Sequence, residues 1–413
     1  MFGKRTLHEA YGNKLKNADL HQTALGILWF EAANKSLISP ANIKLPYKET
    51  GYFPADLPRA VGLKFFAKRG EKISISILKK PVTAFAIFVD VYKPGNTDNS
   101  TPKLVTSADT SKATLDYEIR EDGVYLVRLQ PELLKSGEYT LTITNNASLG
   151  FPVSKEYKSN IGSFWGAGRD GGARKHEGID IFAAKRTPIV AVADAVVDAV
   201  NETAIGGKVV WLRPEDKDYI LYYAHLDEQL VQPGQRIKAG EVVGLMGNTG
   251  NAKTTTAHLH FGIYTNGGAV DPLPFVNREI KLPPKISAST GLVGNMIRAI
   301  KLTSVTSGEE EKLISILPNT PMTVIAAYEN FYRVFLPDGN IGNIASSAVT
   351  DLLKPIRNSK LLLNQDLLEA PNETSPKKNI INSGETVSVL ASYGNYYYVS
   401  FKDEKGWLAK NAL

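Results

Sequence analysis

The chain has 413 residues, of which 43% are hydrophobic and 22% charged, and it carries a formal net charge of +6. This length predicts roughly two to four domains, and the composition is typical of a globular protein. Cysteine is absent, which excludes disulfides and thiolate metal sites, so any metal must be held by His, Asp or Glu. The positive charge favours anionic surroundings such as cell-wall polymer, lipid headgroups or nucleic acid. Because Lys and Arg are scattered without a long basic run, nucleic-acid binding is not expected.

No run of about 18 apolar residues occurs, so no integral membrane segment is expected. The first residues also lack the apolar core of a secretion signal. Two alternatives follow, a cytosolic protein or a processed or truncated form of an exported one.

The periodicity of the first half predicts a helical segment followed by a β-sandwich. Over residues 1–40, apolar positions recur at helical spacing, with Leu20, Leu28 and Trp29 near one predicted face and Pro40 ending the pattern. From residue 41 the period changes to two, and strand-like runs separated by Gly, Pro, Asn and Asp clusters predict a sandwich over 41–150.

The second half predicts a β-rich segment over 151–280, a Lys- and Pro-bearing link, and a tandem repeat. The stretch from Val324 aligns with that from Val389, and Tyr328, Val334 and Gly342 match Tyr393, Val399 and Gly406. These two copies, over 291–352 and 353–413, resemble bacterial SH3-like domains and predict two small barrels. Such domains bind wall peptides or pack against a neighbour.

Four of the six histidines fall within 151–280, and two of them stand one residue apart in "TTTAHLHFGIY", residues 254–264. In a strand, His258 and His260 project from the same face, while Leu259, Phe261 and Ile263 line the other. His8 and His21 lie in the polar N-terminal stretch and are expected to play no special part.

Two further motifs precede this pair. "RKHEGIDIFA" places His176 and Asp180 four residues apart, predicted on one strand face with Ile179 and Ile181 pointing into a core, and "LYYAHLD" ends an apolar strand with His225. A lone histidine is more often a hydrogen-bonded core residue, and His-x-x-x-Asp occurs by chance. All three motifs within about 85 residues nevertheless favour a metal site with an open position and histidines left over for proton transfer.

"HEGID", "YAHL" and "HLHFG", in this order, resemble the lysostaphin/LytM-type zinc endopeptidases of bacterial peptidoglycan, over roughly residues 160–275. The resemblance implies that His176, Asp180 and His260 bind one zinc ion, with His225 and His258 as the catalytic histidines. It also implies peptidoglycan stem peptides as partners and a periplasmic or cell-envelope location. Which histidine acts as the base stays open.

The resemblance further implies a D-Ala to diaminopimelate crosslink as substrate, because Asp170 stands where some enzymes that cut pentaglycine carry a tyrosine. Arg169, Arg174 and Lys175 are expected either to meet stem-peptide carboxylates or to be solvated. Two rival hypotheses are a non-catalytic regulator that activates another hydrolase, and a self-inhibited zymogen in which residues 1–150 or 285–413 cover the cleft.

Overall fold

The computed structural model describes residues 5–82, 85–95, 100–109, 114–307 and 312–412, with the backbone alone at Asp170, Ser307 and Ala412. The described chain is mainly β and multidomain, as the sequence predicts, with its helices at the N-terminus and several separate hydrophobic cores. Within these residues, no helix combines the length and the apolar character needed to cross a membrane. The exact bounds of the five predicted segments stay a prediction.

The N-terminal segment contains two helices, α1 (Leu7–Asn17) and α2 (Ala24–Ile38), where the sequence predicts one continuous helical stretch. Threonines cap both helices, with Thr6 forming a capping box with Glu9 at the start of α1. The predicted apolar face is wrong in part, because Leu20 and Leu28 are about 40% exposed.

The buried face of α2 instead carries Trp29, which is 1% exposed and stacks on the ring of His8 with 4.7 Å between the ring centroids. His8 is therefore part of a packed aromatic cluster and not a solvated polar residue. Its Nε2 donates to Oε1 of Gln130 on the following sandwich, at 2.6 Å.

Two sheets face each other across one core and form the predicted sandwich. One sheet has the order β1-β3-β8-β5-β6, and the other contains β2-β9-β4-β7. The strands are β1 (Ala41–Asn42), β2 (Tyr47–Phe53), β3 (Val61–Ala67), β4 (Glu71–Lys80), β5 (Ile87–Lys93), β6 (Lys103–Ser107), β7 (Thr114–Glu118), β8 (Gly123–Pro131) and β9 (Gly137–Ala147).

A ten-stranded sheet follows, with the main order β10-β13-β20-β17-β16-β15-β18. Leu259, Phe261 and Ile263 are fully buried in its core, as alternation predicts, and so are Ile179 and Ile181. The strands of this sheet are β10 (Asn160–Ser163), β13 (Ile179–Phe182), β14 (Pro188–Val190), β15 (Ala195–Thr203), β16 (Gly207–Pro214), β17 (Tyr219–Gln229), β18 (Arg236–Ile237), β19 (Val242–Met246), β20 (His258–Thr265) and β21 (Gly268–Val270). A separate two-stranded sheet contains β11 (Gly168–Arg169) and β12 (Arg174–Lys175), and the short helix α3 (Leu273–Val276) follows β21.

The tandem repeat is confirmed in the strand register of its two copies. Both central hairpins break register at the same aligned place, between Val324 and Ala326 in one copy and between Val389 and Ala391 in the other. The strands are β22 (Met296–Ala299), β23 (Thr303–Ser307), β24 (Lys312–Ile316), β25 (Pro321–Tyr328), β26 (Phe331–Phe335), β27 (Ile341–Ala345), β28 (Val349–Asp351), β29 (Arg357–Lys360), β30 (Gln365–Leu368), β31 (Lys377–Ile381), β32 (Thr386–Tyr393), β33 (Tyr396–Phe401) and β34 (Glu404–Ala409).

The described strands of neither copy pair into a closed ring, and the SH3-like assignment stays a prediction. The first copy instead joins the sandwich, because β25 pairs with β2 and the two form one eleven-stranded sheet.

A buried ion pair lies at this junction. Nη1 of Arg333 donates to Oε2 of Glu49 at 2.9 Å, and Tyr139 donates to Oε1 of the same carboxylate at 2.8 Å. Glu49 is fully buried and Arg333 nearly so.

Candidate metal centre

The strand register brings three segments of the ten-stranded sheet together at one point. Asp180 on β13 lies directly opposite His260 on β20, and Ala224 on β17 lies opposite His260 on its other side. His176 is not on the predicted strand, because β13 begins only at Ile179. It reaches the same point from the loop before β13, where Gly178 packs so closely that an added Cβ would lie 2.7 Å from Nε2 of His260.

Three ligand atoms converge there. Nε2 of His176 lies 3.0 Å from Oδ1 of Asp180 and 3.0 Å from Nδ1 of His260, and the last two atoms are 3.1 Å apart. His176 and Asp180 are buried, and His260 is 15% exposed. The three residues therefore form a group that could hold a metal ion.

The donor set fits a small divalent cation. A tetrahedral ion with bonds of about 2.0–2.1 Å holds neighbouring ligand atoms roughly 3.3 Å apart, close to the observed triangle. The ring of His176 has its other nitrogen, Nδ1, 3.0 Å from the carbonyl oxygen of Phe164. Because a carbonyl only accepts, Nδ1 must donate, and Nε2 of the neutral ring presents a lone pair. Two buried acceptors, His176 Nε2 and Asp180 Oδ1, thus face one remaining ring nitrogen, and a cation would satisfy all three.

The electrostatics of the site favour the ionised carboxylate and the neutral imidazole. Burial raises the pKa of Asp180, but hydrogen bonds and charge from His176 and His260 outweigh it, so the pKa lies well below its ordinary value. Burial lowers the pKa of His260 despite the opposing effect of Asp180. Both protonation states are those that a metal ligand needs.

Arg169 holds the second oxygen of the same aspartate. Its Nη2 donates to Oδ2 of Asp180 at 2.5 Å and to Oγ of Ser163 at 2.8 Å. The side chain of Arg169, which is 36% exposed, is thus fixed against the aspartate, and whether it also meets a stem-peptide carboxylate stays a prediction. No sequence motif predicts that Arg169 holds Asp180. The only signal in the sequence is that an arginine stands eleven residues before the aspartate. Arg174 and Lys175 are exposed on β12, and the side chain of Asp170 lies outside the described residues.

His258 and His225 lie beside the three ligand atoms. The ring centroid of His225 is 5.0 Å from that of His258 and 6.0 Å from that of His260. Nδ1 of His225 lies 2.9 Å from the carbonyl oxygen of Thr249, and Nδ1 of His258 lies 2.8 Å from that of Thr256. By the carbonyl argument above, both rings carry their proton on Nδ1 and keep Nε2 free to accept one.

A β-bulge in β17 sets the direction of the His225 side chain. Strict alternation along β17 places it on the core face with Leu221 and Tyr223, both fully buried. The β16–β17 register slips between Tyr223 and Leu226, which inserts one extra residue on β17. His225 takes a left-handed φ of 62° at this bulge. Burial, followed by the charges of His258 and His260, lowers the pKa of His225 to about 4, so the ring is neutral at pH 7.

The zymogen hypothesis can be compared with the contacts around the centre. The hydrogen bonds and ion pairs of His176, Asp180 and His260 go to each other and to residues 163–169. None joins these three side chains to the described parts of 1–150 or 285–413. The contacts therefore do not support a segment that plugs the metal centre.

Comparison with known proteins finds a family match for the segment that contains the metal centre. Residues 174–272 match Peptidase family M23. The chain is 40% identical over 220 residues to an uncharacterized metalloprotease of Haemophilus influenzae, covering 53% of this chain and 43% of the relative. It is 35% identical over 113 residues to the peptidoglycan DD-endopeptidase ShyC of Vibrio cholerae, covering 27% and 24%.

A third relative has a different role in its name. The chain is 40% identical over 102 residues to the murein hydrolase activator NlpD of Salmonella dublin, covering 24% of this chain and 26% of the relative. The matches span less than half the length of all three curated relatives. Residues 174–272, which contain the converging His–Asp–His group, are thus similar to the lysostaphin/LytM-type domain of peptidase family M23.

Proposed function

We propose that this protein is a zinc-dependent endopeptidase that cleaves peptide crosslinks of bacterial peptidoglycan. The observation that carries the proposal is the convergence of His176, Asp180 and His260 to within 4.8 Å, with His225 and His258 beside them. Three protein ligands and an open position are the arrangement of catalytic zinc sites, whereas structural sites use four.

Zinc is the proposed metal because two imidazoles and one carboxylate suit it and the chain contains no cysteine. His176, Asp180 and His260 would hold the ion. When bound, zinc lowers the pKa of a coordinated water and polarises the scissile carbonyl. The carbonyl of Phe164 fixes the ring of His176, and Arg169 holds Oδ2 of Asp180, which leaves Oδ1 for the metal.

The two neighbouring histidines supply proton transfer. His225 and His258 each have Nδ1 bound to a backbone carbonyl, so Nε2 is the only ring atom that can accept a proton from the attacking water. The same atom, once protonated, can donate to the oxyanion or to the leaving amine. The carbonyl contacts also prevent the rings from rotating away, which keeps this geometry ready before the substrate binds.

A D-Ala to diaminopimelate crosslink is the proposed substrate. Asp170 supports it, since some pentaglycine-cutting enzymes of this type carry a tyrosine there, and the relative ShyC is named a DD-endopeptidase. Peptidoglycan lies outside the cytoplasmic membrane, so we also propose a periplasmic or cell-envelope location.

The rival proposal is a regulator like NlpD, which its name describes as an activator of murein hydrolases. The complete set of three ligands and two histidines favours the enzyme, because an activator needs no metal and no proton acceptor. Incubation of the purified protein with sacculi, followed by mass spectrometry of released muropeptides, separates the two.

The variants give the sharpest form of this test. His260→Ala should lose both zinc and hydrolysis, whereas His258→Ala should keep zinc and lose hydrolysis. An unchanged zinc content in His260→Ala would show that the ligand assignment is wrong. Release of no muropeptides by zinc-loaded wild type, from sacculi of any crosslink chemistry, would favour the regulator.

A further inference from the structure

A pocket of about 450 Å³ lies between the sandwich and the ten-stranded sheet. Lys68, Arg69 and Arg120 line it from the turns at one end of the sandwich, and Trp165 and Asp271 line it from the other side. The pocket exists only where these two parts of the chain meet, because each supplies one of its walls.

The pocket is next to the metal centre. Trp165 directly follows Phe164, whose carbonyl orients His176. On the other wall, Val270 on β21 pairs with Ile263 on β20, the strand that carries His258 and His260. Both walls of the pocket therefore include residues that adjoin elements of the metal centre, one along the chain and one by strand pairing.

The acidic groups of the pocket are already satisfied. Glu121 pairs with Lys93, Asp122 accepts from the backbone N–H of Arg69 at 2.8 Å, and Asp271 accepts from the backbone N–H of Leu273 at 3.0 Å. Each of these carboxylates therefore has a hydrogen-bond or ion-pair partner within the protein.

The cationic side chains are not committed in the same way. Within the described ranges, the side chains of Lys68 and Arg120 have no hydrogen bond or ion pair. Arg69 has one loose ion pair, with 3.6 Å between its Nη2 and Oδ1 of Asp218. Lys68 and Arg120 are therefore the two cationic side chains of the lining with no partner among the described residues, and the half-buried indole of Trp165 offers an apolar surface beside them.

We propose that this pocket is a substrate subsite that binds a stem-peptide carboxylate through Lys68 and Arg120, with Trp165 packing against the adjacent peptide. The inference rests on the proposed function and adds a role for the sandwich, which supplies affinity and no chemistry. A guanidinium and an ammonium suit a carboxylate, the former by bidentate hydrogen bonds. Loss of the subsite should raise KM and leave kcat nearly unchanged.

The binding experiment uses the full chain with His258→Ala, so that the ligand is not cleaved, and a crosslinked muropeptide dimer containing diaminopimelate. Calorimetry should show that adding Lys68→Gln and Arg120→Gln together weakens binding about tenfold. Lys135→Gln with Lys354→Gln is the matched control, because it removes the same charge from exposed positions away from the pocket and should leave the affinity unchanged.

A second ligand tests the carboxylate itself. Amidation of the free carboxylates should weaken binding to the parent chain by the same factor and should barely affect the Lys68/Arg120 double variant. Equal weakening in the parent, the double variant and the control pair would overturn the inference, and so would unchanged affinity of the double variant. These results are independent of hydrolysis, since a chain that binds muropeptides through the pocket but releases none from sacculi would refute the endopeptidase proposal alone.

Discussion

The left-handed backbone at the His225 bulge predicts that glycine is more stable than alanine at this position, which is the reverse of the usual order in a strand. Alanine is normally better than glycine inside an element, because glycine loses more backbone freedom on folding, by roughly 0.5–1 kcal/mol. At a left-handed φ of 62° the order should change. A Cβ in this conformation costs roughly 1–2 kcal/mol, and glycine avoids that cost.

We therefore expect His225→Gly to be more stable than His225→Ala by about 0.5–1 kcal/mol, the difference between these two terms. Both variants lose the imidazole and its hydrogen bond to Thr249, so those losses cancel in the comparison. Both should also lose hydrolysis under the proposed role of His225.

The assay is denaturant unfolding, followed at the transition whose midpoint moves when zinc is added. A ligand stabilises the part of the protein that binds it, so this transition reports the unfolding of the metal-binding region. Glu202, exposed on β15 and with no positive φ, provides the matched pair Glu202→Gly and Glu202→Ala, for which alanine should be the more stable. Equal stability of the two His225 variants, or greater stability of His225→Ala, would refute the argument that the backbone at this position is strained.

Three further predictions concern contacts away from this bulge. Arg169→Gln should weaken zinc binding about 10–100-fold in a chelator competition, because Asp180 loses the partner of its Oδ2, and unchanged affinity would exclude a positioning role. Arg333→Met should lower the free energy of unfolding by about 3–5 kcal/mol, because it leaves Glu49 buried without its ion-pair partner. Adding Glu49→Gln should restore much of this stability, and strictly additive losses in the double variant would contradict an interaction between the two residues. Burial lowers the pKa of His8 to about 4, so between pH 6.5 and 4 the unfolded chain binds a proton that the folded chain excludes. Stability should fall by up to about 3 kcal/mol as the pH drops through this window, and His8→Phe should lack this part of the loss; a wild type and variant that lose stability in parallel would argue against it.

The parts of the fold that sequence predicts are those fixed by local alternation. The His-x-His strand has its imidazoles on one face and fully buried Leu259, Phe261 and Ile263 on the other. The repeat was visible for the same reason, because its two copies share both the alternation and the register break. The helical pattern is less reliable, because the spacing of apolar residues does not show which face of a helix meets the sandwich. At α2 it therefore predicted that Leu28 is buried, although this residue is exposed.

Pairings between distant segments could not be predicted. β2 and β25 are separated by more than 250 residues, and either would read as an ordinary edge strand. The sequence contains Glu49 and Arg333, but a charged residue in a strand is normally assigned to solvent. Only the pairing itself brings the two charges together in a buried place. Arg169 is similar, since its partner Asp180 is recognisable while the loop that returns the guanidinium to it is not.

His225 shows why the site needed more than the pattern. Alternation assigns it to the core, and neither a glycine nor an asparagine marks the bulge that moves it to the metal centre. A position that only needed a left-handed turn would be served better by glycine. A histidine at a conformation that penalises its Cβ is what the proposed function leads us to expect, because the imidazole would then offset its cost in stability through chemistry.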